Sequence, residues 1–140
     1  EYNCRLGDPE TQVVMPLIES DAFELFFSCA TGTVLSYQLK LKTSTAVCVV
    51  MASDGYPDEY QIGKEIRGLK EATENAVVFH AGTISKNSNI VTSGGRVLGI
   101  TALGDGLKET IESAYTAVEK ISYEGVYYRT DIGKKGLQRQ

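Results

Sequence analysis

Three side chains at the head of the sequence have types and spacing suited to a charged ligand: Glu1, Asn3 and Arg5. If Glu1–Leu6 is a strand, side chains two apart leave the same face about 6–7 Å from each other. A carboxylate and a carboxamide oxygen are hard donors of the kind Mg²⁺ takes at about 2.0–2.1 Å, with waters and substrate phosphates completing its shell. Arg5 on the same face can grip a phosphate or a carboxylate with two parallel N–H donors. The competing reading is a solvated strand face with an ordinary Glu–Arg contact. Tyr2, Cys4 and Leu6 would occupy the opposite, packing face. In the turn that follows, Gly7-Asp8-Pro9-Glu10, Asp8 can orient a substrate amine or serve only as a turn and capping residue.

Two further places invite a ligand. His80, the single histidine, sits on an apolar run beside Ala81-Gly82-Thr83, where a glycine lets another group approach the backbone. Ser93-Gly94-Gly95-Arg96 can bring backbone N–H groups and a guanidinium to an anion. A partly buried structural histidine and a plain Gly-Gly hairpin turn are the alternatives. The sequence has neither G-x-x-x-x-G-K-[ST] nor G-x-G-x-x-G, so it has no phosphate loop of those types. No Ser/His/Asp or Cys/His arrangement stands out. Cys4, Cys29 and Cys48 make no zinc spacing and read as free thiols of a reducing cytoplasm. Cys29 and Cys48 lie in apolar segments, so both are expected to be buried, and Cys4 is expected to point away from the polar strand face.

The elements that must position these groups follow from periodicity. A short helix after Pro9 is limited by Pro16. A second helix, N-capped by Ser20, carries Phe23, Phe26, Phe27 and Ala30 and stops at Gly32. Val34–Leu41 alternates and predicts a strand. Thr45–Met51 is a continuous apolar run and predicts a central buried strand. Ser53-Asp54-Gly55-Tyr56-Pro57 is a loop, and Glu65–Leu69 a short edge strand. Ala76–Ile84 reads as one strand, followed by a polar turn and Ile90–Thr92 as its hairpin partner. Arg96–Leu103 is a strand. Asp105 is the expected cap of an amphipathic helix over Gly106–Ile121. Tyr123–Tyr128 closes the list of strands, and Lys134–Gln140 reads as a frayed tail. A domain boundary is expected between Val34 and Thr45.

The class is therefore α+β, and composition agrees. The 140 residues amount to roughly one domain, 42% hydrophobic and 23% charged, able to bury a core without disulfides. No apolar run approaches the roughly 20 residues of a membrane-spanning helix. A net charge of −4 argues against a nucleic-acid surface. The chain opens on Glu-Tyr-Asn without an initiator Met, which points to a piece of a longer protein.

The run EYNCRLGDPETQ at 1–12 resembles the signature of the glycinamide ribonucleotide synthetase family, also called phosphoribosylamine–glycine ligases. The likeness continues through VVMASDGYP at 49–57, FHAGT at 79–83, SGGRVLGITALGD at 93–105 and YRTDIG at 128–133. It implies an ATP-grasp ligase of purine biosynthesis, which joins glycine to phosphoribosylamine while ATP becomes ADP and phosphate through glycyl phosphate. It implies that residues 1–33 end the ATP-grasp domain and that residues 34–140 form a small mixed or antiparallel sheet domain with helices packed on it. By the same resemblance Glu1 and Asn3 are ligands of Mg²⁺ or Mn²⁺, and Arg5 and Asp8 face the same cleft as catalytic residues. His80, Gly94, Gly95 and Arg96 belong to loops that shape the substrate-binding wall, with Arg129-Thr130-Asp131 nearby. The partners implied are ATP, glycine, phosphoribosylamine and the N-terminal domains of the same enzyme, in the cytoplasm, with no nucleic acid and no membrane. Lys134-Lys135-Gly136 departs from the family's usual residues after Asp-Ile-Gly. Nothing in the chain resembles the family's nucleotide-binding lysines or its N-terminal substrate domain. The alternative is a non-catalytic α+β packing or interaction module.

Overall fold

The apolar runs at 45–51 and 96–103 are the centre of the molecule. A computed structural model describes residues 5–138. Glu1 and Asn3, the expected metal ligands, lie outside the described residues together with Cys4. Most of the expected first strand is also outside them. Arg5 and Leu6, its described end, are not in a strand.

Strands β1 (Thr45–Ser53) and β5 (Arg96–Gly104) pair antiparallel over their length, from Thr45 opposite Gly104 to Met51 opposite Leu98, with a register slip between Met51 and Ala52. Strand β2 (Val77–His80) adds to the other edge of β5, and β6 (Val126–Tyr128) to the other edge of β1. The sheet order is β2-β5-β1-β6, and every pairing is antiparallel. Alternation places Val47, Val49, Met51, Leu98, Ile100 and Ala102 on one face. That face packs on helix α4 (Leu107–Glu119), which presents Ala114, Ala117 and Val118. Two alanines on the contacting stripe let the helix lie close to the strands, so small residues on the helix side seal against Met51, Leu98 and Ile100 of the sheet. The Tyr123 hydroxyl, buried behind it, donates to the Ala52 carbonyl at 2.9 Å.

A second sheet is the hairpin of β3 (Thr83–Lys86) and β4 (Asn89–Thr92). The expected single strand at 76–84 thus divides at Ala81-Gly82 between two sheets. Glu65 and Arg67 make only isolated bridges, and the chain turns at once into α3 (Leu69–Ala72) in place of an edge strand.

The leading segment carries α1 (Thr11–Val14), a 3₁₀ turn at Met15–Leu17 and α2 (Ala22–Thr31), which ends at Gly32 as expected. Asp21, not Ser20, caps α2: its Oδ1 accepts from the N–H groups of Phe23 at 2.8 Å and Glu24 at 3.1 Å. The Ser20 hydroxyl is instead spent on the Lys40 N–H. The predicted strand at 34–41 is a 3₁₀ turn at Val34–Ser36 followed by extended chain with one bridge, Ile18 to Leu41. Its alternation is real, but among the described residues no neighbouring strand completes a ladder with it. Cys29 is exposed, contrary to expectation, and Cys48 is half-buried. At the other end, Gly106 rather than Asp105 holds the N-cap of α4 with no side-chain cap, and the tail forms a short helix α5 (Lys134–Leu137).

Candidate active site

The loops at one end of the sheet bring together segments distant in sequence. Ser53, the last residue of β1, donates its backbone N–H to the Gly95 carbonyl at 2.8 Å and its hydroxyl to the Gly94 carbonyl at 3.1 Å. Gly82 donates to the Arg96 carbonyl and accepts from the Ser93 N–H, both at 2.8 Å. Glycine is needed here for close approach. A Cβ on Gly82 would come within 2.7 Å of Gly94 Cα, and one on Gly95 would overlap the Tyr56 ring. Gly94 and Gly95 therefore serve contact between loops, a role the Gly-Gly pattern alone does not distinguish from anion binding.

Asp8 joins this cluster from the leading segment. Its Oδ2 lies 3.1 Å from Nη2 of Arg96, and its Oδ1 accepts from Nε2 of Gln12 at 3.1 Å. Gln12 is a residue the sequence reading overlooked; its spacing of four from Asp8 was the available signal. The backbone carbonyl of Gln12 accepts from the buried Thr101 hydroxyl at 3.0 Å, which ties α1 to the face of the sheet opposite α4. Arg5 is exposed. His80, also exposed, closes β2 with Nδ1 2.9 Å from the Thr83 hydroxyl, a local bond across the Ala81-Gly82 turn. The structure thus brings Asp8, Gly94, Gly95 and Arg96 into one cluster with the Gly82 turn, at whose start His80 stands.

Beside it, an open cavity of about 500 Å³ is lined by Ser53, Asp54, Tyr60, Lys64 and Glu124 among others. Lys64 Nζ is 2.7 Å from Glu124 Oε1 there. The turn-forming run at 53–57 predicts a loop and by itself gives no sign of this cavity. Arg129 and Asp131 pair with each other in a two-pronged contact at 2.8 and 2.7 Å, which holds the Asp131 carboxyl below its usual range. Their loop is pinned to α4 by Tyr115, whose hydroxyl donates to the Arg129 carbonyl at 2.6 Å and accepts from the Ile132 N–H at 3.1 Å. Among the described residues no group of three or more His, Cys, Asp and Glu is placed to hold a metal ion. No helix among them is long and apolar enough to cross a membrane.

A family model for the phosphoribosylglycinamide synthetase C domain matches residues 46–135. The chain belongs to that family. The matched span holds both sheets and α4, whereas Asp8 and Gln12 lie ahead of it. The chain is 54% identical over 132 residues to a phosphoribosylamine–glycine ligase of Caldanaerobacter subterraneus, covering 94% of this chain and 31% of that protein. It is 48% identical to the Synechocystis ligase, covering 98% and 33%. It is 45% identical to a trifunctional purine biosynthetic protein of Homo sapiens, covering 98% and 14%. A crystal structure of the Thermotoga maritima ligase superposes with a TM-score of 0.74 at 38% identity, over 94% of this chain and 32% of that one. This C-domain chain thus spans a third or less of the length of these relatives.

Proposed function

We propose that the chain is the C-terminal part of an ATP-dependent ligase that joins glycine to 5-phosphoribosylamine. The products are glycinamide ribonucleotide, ADP and phosphate, formed through glycyl phosphate in purine biosynthesis. The observation that carries the reading is the convergence of Asp8 with the loops at 53–56, 82 and 94–96, in a chain 54% identical to a phosphoribosylamine–glycine ligase.

The chemistry asks for such a cluster. A glycine carboxylate must approach a highly charged γ-phosphate, so the site has to offset repulsion and hold the reactants in line. Glu1 and Asn3 offer a carboxylate and a carboxamide oxygen, a donor pair that fits Mg²⁺ or Mn²⁺. A divalent ion held by them would supply charge neutralisation at the nucleotide phosphates. Arg5 is suited to a phosphate or carboxylate oxygen, and Asp8 to a substrate amine. His80, Gly94, Gly95 and Arg96 form the wall on the C-domain side. In this reading residues 1–33 complete the ATP-grasp domain and 34–140 are the C-terminal domain. The enzyme works in the cytoplasm, where thiols such as Cys29 and Cys48 stay reduced.

The exposed apolar side chains of the leading segment support a further point: the 140 residues alone are inactive, behaving as a packing module. Glycine-dependent ADP release by the purified chain is expected to equal background; turnover above it overturns the claim that essential parts lie elsewhere. In the full-length enzyme, Glu1→Gln is expected to lower turnover on the order of 100-fold, because electrostatic stabilisation of this kind is worth about 3 kcal/mol or more. Added Mg²⁺ should recover part of the loss. Normal turnover with unchanged Mg²⁺ dependence ends the metal-ligand assignment.

A further inference from the structure

We propose that Arg96 and Gln12 are positioning residues that together aim the Asp8 carboxylate. The inference rests on the reading above that Asp8 meets a substrate group, and it assigns Arg96 to Asp8 rather than to substrate.

Both oxygens of Asp8 are engaged, one by the Arg96 guanidinium and one by the Gln12 amide. Both partners are indexed to the same strand. Arg96 is the first residue of β5, and its carbonyl is fixed by Gly82 while the preceding two carbonyls are fixed by Ser53. Gln12 is fixed by the Thr101 hydroxyl, five residues further along β5 and fully buried. A side chain on a turn of the leading segment is thus referenced at two points to the most buried strand of the sheet, the arrangement that gives a site its precision. The amide orientation supports this. Gln12 gives its NH₂ to Asp8 and leaves Oε1 buried without a partner among the described residues. The reverse orientation would set Oε1 against the carboxylate, so the Asp8 contact decides how the amide lies. Asp8 and Arg96 are each about half exposed. A pair of that kind adds little stability, so its consequence is geometric: it fixes where the free lone pairs of Asp8 point.

The test is a double-mutant cycle in the full-length ligase, with kcat, KM for glycine and phosphoribosylamine, and melting temperature measured for Arg96→Gln, Asp8→Asn and the double variant. Arg96→Gln is expected to lower kcat/KM by about tenfold or more, a displacement of the Asp8 carboxylate by an ångström being enough for that, with the melting temperature little changed. The double variant should be no worse than Asp8→Asn alone, since Arg96 acts through Asp8. Arg96→Lys, which keeps the charge and loses the fork, should recover part of the activity, and it carries the test if Arg96→Gln does not fold. Losses that multiply in the double variant overturn the proposal, because Arg96 then acts on substrate by itself. Full activity in Arg96→Gln beside a damaged Asp8→Asn overturns the proposal and leaves the site reading standing. Full activity in Asp8→Asn overturns the placement of Asp8 in the site.

Discussion

The sheet unit and the leading segment obey different energetics. From 45 onward, β1, β5 and α4 bury Val49, Met51, Val97, Ile100, Ala102, Ala114 and Val118 completely. From 5 to 41 the only buried residue is Ser28. There the large apolar side chains face outward: Leu35 is 99% exposed, Phe23 71% and Phe27 55%, the two phenyl rings stacked on each other at 5.9 Å. Both stretches are rich in apolar residues, so composition does not separate them. What separates them is how well each apolar face is covered. The sheet face has α4, three turns long and held close by alanines, whereas the stripe of α2 leaves Phe23, Phe26 and Phe27 exposed. Apolar burial is worth about 25 cal/mol per Å² only when the surface leaves water. The chain thus carries one sealed core and one segment laid against it, with polar side-chain contacts at Asp8–Arg96 and Gln12–Thr101.

The comparison breaks most easily at the sheet. Ile100→Ala leaves a cavity under α4 and is expected to cost about 2–5 kcal/mol. Denaturant titration should show this as a lower midpoint with unchanged slope. A loss below 1 kcal/mol would mean that the core is not where the stability resides.

A smaller loss is expected from Tyr123→Phe, which strips the donor from the buried Ala52 carbonyl and should cost about 1–3 kcal/mol. The same residue gives a pH signature. Burial raises the Tyr123 phenol above its ordinary value of 10. The folded state therefore ionises later than the unfolded state. Its contribution is fully present below about pH 10 and is lost as pH rises beyond it. The stability difference between the native chain and Tyr123→Phe should shrink above pH 10, and a constant difference would contradict the assignment.

Substitution in the leading segment tests the other side. Phe23→Ser with Phe27→Ser should change the stability of the isolated chain by no more than about 0.5 kcal/mol for each residue, since both side chains are mostly exposed. A loss comparable to that of Ile100→Ala would show that the segment has a core of its own. The least perturbing measurement is thiol reactivity. Cys29 should alkylate before Cys48, because Cys29 is exposed while burial raises the Cys48 thiol and leaves less thiolate. Peptide mapping after brief labelling reads the order, and equal rates would contradict it.

Elements whose signal is local were legible without coordinates. The apolar runs of β1 and β5, the stripe of α4 and the Gly32 stop of α2 come from propensity and periodicity within a few residues, and they stand where the sequence places them. Patterns that need a distant partner were not. Val34–Leu41 alternates as a strand does, yet among the described residues it makes a single bridge, because pairing is a property of two segments. Ala76–Ile84 reads as one strand, yet Gly82 folds against Gly94 and the chain changes sheet there. The phenylalanines of α2 announce a helix correctly and leave its burial undecided. Of the site, sequence motifs singled out Asp8, His80, Gly94, Gly95 and Arg96 as separate candidates. That Arg96 and Gln12 share the two oxygens of Asp8, and that Thr101 anchors Gln12, is decided only by the antiparallel register of β5 and the path of the leading segment across the sheet. Local sequence determines which residues can make a hydrogen bond, and the tertiary fold determines which of them come within 3 Å.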